Sequence, residues 1–259
     1  MSRLSWRVLD ARPLAGLLLL AGAVASAQDL RVYGPGGPEP AIRPAAEPFG
    51  ASRGIKIAVT AGPTSKWIAQ AKADADLIYS GSETMMTDLV EQMGGEVLPE
   101  TVTPLYLRVS AILVRPGNPK KISRFEDLLV PGVKIVVVNG AGQNGLWEDV
   151  AGRRGDVRAV RAFRKNIALF AKTSADATQA WNGDPSFDAW LTWTIWKGEA
   201  RGVADVVPLA PDLRIHRDAG VALTRRGREK PVAREFAAFL ASPDGARIFQ
   251  KMGWITEPR

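Results

Sequence analysis

The chain has 259 residues, with 34 Lys and Arg against 27 Asp and Glu, a net charge of +7 and no cysteine. Without thiols there is no disulfide framework, thiolate metal site, cysteine nucleophile or lipid-modified cysteine anchor. The cations are dispersed and lie in no nucleic-acid-reading motif, so the basic balance suits a small anion or an acidic surface and not nucleic acid.

At the N-terminus, Arg3, Arg7 and Arg12 precede an apolar run, Leu14–Val24, which leads into Ala25-Ser26-Ala27. A basic leader, a run too short for a comfortable bilayer span and an A-x-A site predict a Sec signal peptide over 1–27, cleaved after Ala27. The processed chain then starts at Gln28 in the periplasm. It has 232 residues and, with three arginines and one aspartate removed, a net charge of +5. That length suffices for one large core or two small lobes, and no other stretch is apolar enough to span a bilayer.

The elements that follow alternate strand and helix, which predicts an α/β protein. Leu30–Tyr33 reads as a strand ending in Gly34-Pro35-Gly36-Gly37-Pro38, and a proline-containing helix follows over Glu39–Ala51. Ile55–Thr60 is a second strand. It runs through Ala61-Gly62-Pro63-Thr64-Ser65-Lys66 into a helix carrying Trp67, Ile68 and Ala71, with Thr64 or Ser65 as N-cap. Ala75–Tyr79 is a third strand, followed by Ser80-Gly81-Ser82-Glu83 and a helix with Met85, Met86, Leu89 and Val90. In a parallel α/β sheet such small-residue turns share the carboxyl edge, where ligands bind. The plain alternative is that turns are made of these residues anyway.

Leu105–Arg115 is long and extended, fit to carry the chain between lobes, and Pro116-Gly117-Asn118-Pro119 breaks it. Phe125–Leu129 reads as a short helix capped by Ser123. Ile135–Val138 is a β-branched strand that enters Asn139-Gly140-Ala141-Gly142-Gln143-Asn144-Gly145 and then a helix from Leu146. Gly140, Gly142 and Gly145 fit the G-x-G-x-x-G spacing, but no acidic residue ends a second strand about 20 positions on, as ribose binding requires. A tight turn and an anion-holding turn both remain open readings, since glycine lets backbone N–H groups approach an anion at a helix start. Further on come a helix over Asp156–Lys165, a strand over Ile167–Ala171, Lys172-Thr173-Ser174, and a helix over Ala175–Trp181. Phe187–Trp193 alternates as a strand, and Val206–Leu209 and Ala219–Thr224 are short strands, the last returning toward the first lobe. Arg225-Arg226-Gly227-Arg228 is the densest basic run and reads as a solvated loop. Helices over Pro231–Leu240 and Pro243–Lys251 start with the proline that suits an early helix position.

Catalysis lacks its parts. His216 is the single histidine, so it alone could serve a Ser-His-Asp set, and no H-x-x-x-H metal pair can form. Glu148 and Asp149 are adjacent and point about 100° apart on a helix, which is no carboxylate pair. The expectation is a binding protein with no catalytic residue, metal or cofactor. Met85, Met86, Trp181, Trp190, Trp193 and Trp196 read as packing residues.

Seven segments carry a resemblance: VYGPGGP at Val32–Pro38, TAGPTSKW at Thr60–Trp67, YSGSETMMTD at Tyr79–Asp88, PLYLR at Pro104–Arg108, SAILVRPGNPK at Ser110–Lys120, VVNGAGQNGLWEDVAGR at Val137–Arg153 and DAWLTWTIW at Asp188–Trp196. Together they resemble the accessory colonization factor C family, within the molybdate/sulfate-type periplasmic solute-binding proteins. The resemblance spans nearly the whole processed chain. It implies a two-lobed (type II) fold in which each lobe is a mixed sheet flanked by helices and two extended crossovers join them. Lobe 1 would comprise 28–109 and 215–259, and lobe 2 would comprise 110–214. It further implies an anion held between the lobes by uncharged donors at helix starts: Gly36 and Gly37, where relatives often place serine; Thr64 and Ser65; Ser80, Gly81 and Ser82; Gly142, Gln143 and Asn144; and Thr173 and Ser174. Trp190 to Trp193 lie where relatives supply a tyrosine or a backbone contact.

Relatives near this family are similar to binders of small carboxylates or phosphorylated acids, so cations near the cleft are expected. Lys66, Arg108 and Lys172 are the candidates. Lys66 also reads as a solvated residue, and Arg108, inside an apolar strand, also reads as half of a structural ion pair. The function implied is capture of an oxyanion, small carboxylate or phosphorylated acid. Delivery would be to an ABC permease or to a chemoreceptor in the inner membrane, and a homodimer is left open. The alternative is a colonization or adhesion factor that acts through its outer surface.

Overall fold

Short β-branched and aromatic runs form the strands, and the helices between them cover both faces of the sheet. The computed structural model describes residues 29–140, 142–197 and 204–256; the expected signal peptide lies outside them. The strands are β1 (Leu30–Gly34), β2 (Ile57–Ala61), β3 (Leu77–Ser80), β4 (Thr103–Val114), β5 (Ile135–Val138), β6 (Ile167–Ala171), β7 (Ala189–Trp193), β8 (Asp205–Pro208) and β9 (His216–Leu223). The helices are α1 (Glu39–Arg53), α2 (Ile68–Asp74), α3 (Glu83–Gln92), α4 (Leu146–Gly152), α5 (Val157–Asn166), α6 (Ser174–Gly183), α7 (Arg225–Arg228), α8 (Pro231–Leu240) and α9 (Pro243–Lys251). No helix among the described residues is long and apolar enough to cross a membrane.

The strand order is β2-β1-β3-β9-β4-β7-β5-β6, with β8 pairing β4 off that path. β1 is parallel to β2 and β3, and β5 is parallel to β6 and β7. The long strand β4 changes partners along its length: Thr103–Val109 pairs β9, and Ser110–Val114 pairs β7 and β8. β9 is antiparallel to β3 and β4, and β4 is antiparallel to β7. The two parallel units therefore run in opposite directions and are offset along β4. Their carboxyl ends, with the small-residue turns, face each other across the middle of the sheet.

Several local expectations are corrected. Neither Thr64 nor Ser65 caps α2. Residues Thr64–Lys66 form a 3-10 turn behind Pro63, closed by Lys66 N–H to Pro63 O at 2.9 Å, and α2 starts after Trp67 with no side-chain cap. Ser123 is no cap either, because the 3-10 helix over Phe125–Leu129 follows Arg124. The Asp127 carboxylate instead accepts from Ser123 N–H at 2.8 Å and Arg124 N–H at 3.2 Å. β7 starts at Ala189, later than Phe187, and all five of its residues are buried because it lies between β4 and β5. The run at 225–228 is a helical turn and not a loop, capped by the Thr224 hydroxyl accepting from Gly227 N–H. A Cβ at Gly227 would lie 1.9 Å from Asp76 O, so the chain approaches there as only glycine permits.

One apolar core spans β1 through α9, and a smaller one gathers Trp67, Met85, Met86 and Leu89. The fully buried Asp76 ties the C-terminal segment to the first strands. Its carboxylate accepts from Lys230 Nζ at 2.8 Å, Arg226 Nε at 3.2 Å and Arg31 N–H at 2.8 Å. A buried carboxylate with three donors is compensated; removing a donor would leave charge stranded.

Candidate functional site

The facing turns enclose a cavity of about 150 Å³. One wall comes from the turns after β1, β2 and β3: Gly36, Gly37, Gly62, Pro63 and Gly81, with Met85 from α3. The other comes from Thr173, Ser174 and Ala175 at the start of α6, with Trp196; Arg108 lies between them, and Pro35, Pro38 and Glu39 complete the rim. The N-termini of α1, α3 and α6 thus meet at one place, and each carries positive partial charge. Glu39, the one carboxylate of the lining, pairs with Arg43 one turn on.

Arg108 is the centre of the arrangement. It is 4% exposed. A Cβ built at Gly37 or Gly81 would lie 3.6 Å from its Nη1, and one at Gly142 would lie 3.5 Å from its Nη2, so glycine turns from both halves press on one guanidinium. Nη2 donates to Gly142 O at 3.2 Å, and Cζ sits 4.3 Å from the Trp193 ring centroid. Nε is buried without a partner, and no carboxylate among the described residues pairs with this cation. Burial pushes the guanidinium down to about 9, with the Arg217 charge adding to the effect and Glu83 opposing it, so it remains a cation at neutral pH. Directly across the β4/β9 ladder stands Arg217, which reaches Glu83 at 3.3 Å and Asp149 at 3.9 Å. The two carboxylates nearby are thus engaged by Arg217, and the buried Arg108 charge is left for another partner.

The expected site residues divide. Gly36, Gly37, Gly81, Arg108, Thr173 and Ser174 line the cavity, while Gly142 and Ser82 are outside the lining, Gly142 meeting Arg108 through its carbonyl. Gln143 is buried behind the wall: its amide donates to Ser174 Oγ at 2.7 Å and its carbonyl accepts from Thr192 Oγ1 at 3.2 Å. The Thr173 hydroxyl is engaged in a capping box with Asp176, and Ser82 Oγ accepts from Met85 N–H at 3.1 Å. The lining does not include Thr64, Ser65 or Lys66; Ser65 and Lys66 point to solvent, and that turn reaches the cavity through Gly62 and Pro63. Asn144 and Lys172 are exposed and outside it. The Lys172 backbone packs instead against the glycine turn, since a Cβ at Gly140 would come within 2.2 Å of Lys172 O. Ser80 is fully buried and lines a different cavity, with Met86, Val90 and Gly220. Among the described residues Arg108 is not half of an ion pair.

Gly62, Pro63, Met85 and Trp196 were not expected, nor were Pro35, Pro38, Glu39 and Ala175. Met85 and Trp196 do pack in the core, as expected, and also present one side to the cavity. Gly62 and Pro63 were signalled by their place in a small-residue turn at the carboxyl edge, and Met85 and Trp196 only by their place in the resemblance motifs. The described residues contain no group of three or more His, Cys, Asp or Glu arranged to hold a metal.

A family model described as bacterial extracellular solute-binding protein matches residues 30–255. The crystal structure of Peb3 from Campylobacter jejuni is similar at 33% identity and a TM-score of 0.81, covering 88% of this chain and 100% of that one. A structure of L-phospholactate-bound PEB3 gives 32% identity, a TM-score of 0.81 and the same 88% and 100% coverage. The sulfate-binding protein of Synechococcus elongatus is 28% identical over 162 residues, 56% of this chain and 46% of that protein. The molybdate-binding protein ModA of Mycobacterium tuberculosis is 26% identical over 187 residues, 70% of this chain and 66% of that protein. The chain spans about half the length of the sulfate-binding relatives it matches. The mixed α/β architecture is that of periplasmic binding proteins.

Proposed function

Because this chain belongs to the family of bacterial extracellular solute-binding proteins, we propose that it captures a small anion between two lobes in the periplasm. It would be exported by the Sec signal peptide over 1–27, and it would act by binding and not by catalysis. The single observation behind this reading is Arg108: a buried cation without a carboxylate, set among three helix starts and beside a cavity. Uncompensated buried charge is expensive, and a ligand anion would supply the missing partner. Lobe 1 would be 28–109 with 215–259 and lobe 2 would be 110–214. The change of β4 pairing between Val109 and Ser110 and the return along β9 support that division.

Proline, methionine and tryptophan in the lining favour a small organic acid, carboxylated or phosphorylated, over a bare tetrahedral oxyanion, and one similar structure holds L-phospholactate. Within the family, the chain would fall with the accessory colonization factor C proteins. Its partner would be an ABC permease or a chemoreceptor in the inner membrane.

The test is a thermal-shift screen followed by calorimetry, with sulfate, molybdate, phosphate, citrate, phosphoglycerate and phospholactate. A ligand at about 100 times its Kd adds roughly 2.7 kcal/mol of stability. A shift with phospholactate or phosphoglycerate, absent with sulfate and molybdate, is the expected result. No shift with any of these anions would overturn the reading.

A further inference from the structure

Away from the cavity, α5 carries more positive charge than its folding uses. Arg158, Arg161, Arg164 and Lys165 are all exposed on it. Arg158 has Asp156 at 3.4 Å, whereas the side chains of Arg161, Arg164 and Lys165 have no ion pair or hydrogen bond among the described residues. Arg158 with Arg161 and Arg161 with Arg164 are three apart, and Arg161 with Lys165 is four apart. Like charges at those spacings repel on a helix. The helix dipole accounts for Arg164 and Lys165 in the last turn, but it disfavours cations earlier in the helix.

The cations also form one wall of a groove of about 430 Å³. Arg158, Arg161 and Lys165 face Leu129, Pro131 and Gly132. The opposite wall is held by the Asn166 side-chain amide, which donates to Leu128 O at 2.8 Å and Val130 O at 2.7 Å. Next to each wall in sequence stands an exposed valine, Val130 at 55% and Val157 at 69%; these are two of the four large apolar side chains exposed among the described residues. The 129–132 turn precedes β5 and Asn166 precedes β6, so the groove lies at the amino ends of those strands, opposite the carboxyl ends that enclose the cavity.

We propose that this face of α5 docks on a membrane surface of anionic phospholipids. Clustered cations, three of them without an acidic partner, attract anionic headgroups, and exposed apolar side chains beside them have a use at a lipid interface that they lack toward a dissolved anion. Docking there leaves the cavity mouth free. The proposal is independent of what the cavity binds.

The test is sedimentation of the purified protein, processed after Ala27, with vesicles of phosphatidylcholine alone or mixed with phosphatidylglycerol. The protein should pellet with the mixed vesicles only and release at high salt. The variant carrying Arg161→Gln, Arg164→Gln and Lys165→Gln should partition on the order of a hundredfold less at low salt. Val157→Ser with Val130→Ser should weaken binding without changing its salt dependence. Thermal denaturation of each variant verifies that it is folded. Equal pelleting of the glutamine variant, or no pelleting of the parent, would overturn the proposal. So would full competition by soluble polyglutamate with no effect of the valine replacements, which would indicate an acidic protein surface instead.

Discussion

Arg108 and Gly142 meet where the two facing sets of turns come together: the guanidinium Nη2 donates to the glycine carbonyl at 3.2 Å. A carbonyl satisfies one N–H but does not neutralise the charge, and the same cation lies over the Trp193 ring at 4.3 Å. Arg108→Met keeps a flexible unbranched stem and removes the guanidinium with its charge. Anion affinity should fall about 10- to 100-fold, the scale of a charged hydrogen bond, while the ligand-free protein stays as stable or becomes more so. Calorimetry for affinity and thermal unfolding for stability read the two effects separately. Unchanged affinity would remove Arg108 from recognition.

The glycines of the facing turns should not tolerate a methyl group equally. Gly142 has φ 76, and a Cβ there would lie 2.7 Å from Met85 Cε; Gly36 has open space. Gly142→Ala should destabilise the protein by roughly 1–2 kcal/mol through the left-handed backbone and also weaken binding by moving Met85 into the cavity. Gly36→Ala should do little to stability. Denaturant midpoints of the two variants make the comparison.

Arg217 links three elements: its own strand β9, Glu83 on α3 at 3.3 Å and Asp149 on α4 at 3.9 Å. These groups are partly exposed, so the link is modest, about 0.2–1 kcal/mol. Asp149→Asn should speed anion release up to a few-fold with little change in association. The difference should shrink as salt rises. Stopped-flow kinetics at two ionic strengths would detect it, and identical release rates would show that the contact does not help retain the anion.

Acid should loosen the segment at 123–129 through Asp127. Backbone N–H of Ser123, assisted by the Ser123 hydroxyl and Arg124, holds this carboxyl below its ordinary range against a smaller opposing effect of burial. A depressed folded value means that the contribution is complete above the unfolded value, about 3.9, and is lost as pH falls from there through the folded value. Asp127→Asn should therefore be less stable at neutral pH and lose less stability on acidification. Melting temperatures between pH 3 and pH 7 give the comparison.

Local chemistry was enough to read most elements. Ile135–Val138 is β-branched throughout, Ile167–Ala171 is bounded as expected, and Pro231 and Pro243 start α8 and α9 at the expected residues. Long motifs likewise sufficed for the solute-binding family. They did not show which residue of each turn faces the cavity. Thr64, Ser65 and Lys66 lie one turn beyond Gly62 and Pro63, and a 3-10 twist directs Ser65 and Lys66 to solvent.

The sequence by itself determined the alternation of strand and helix and the placing of glycine and proline between them, because those depend on neighbours a few positions apart. Only the tertiary structure decided that Gly37, Gly81 and Gly142 surround the Arg108 guanidinium, and that Arg217 rather than Arg108 takes the nearby carboxylates. Those relationships arise when two oppositely directed half-sheets are offset along β4. They join residues tens of positions apart, at distances that no local periodicity encodes.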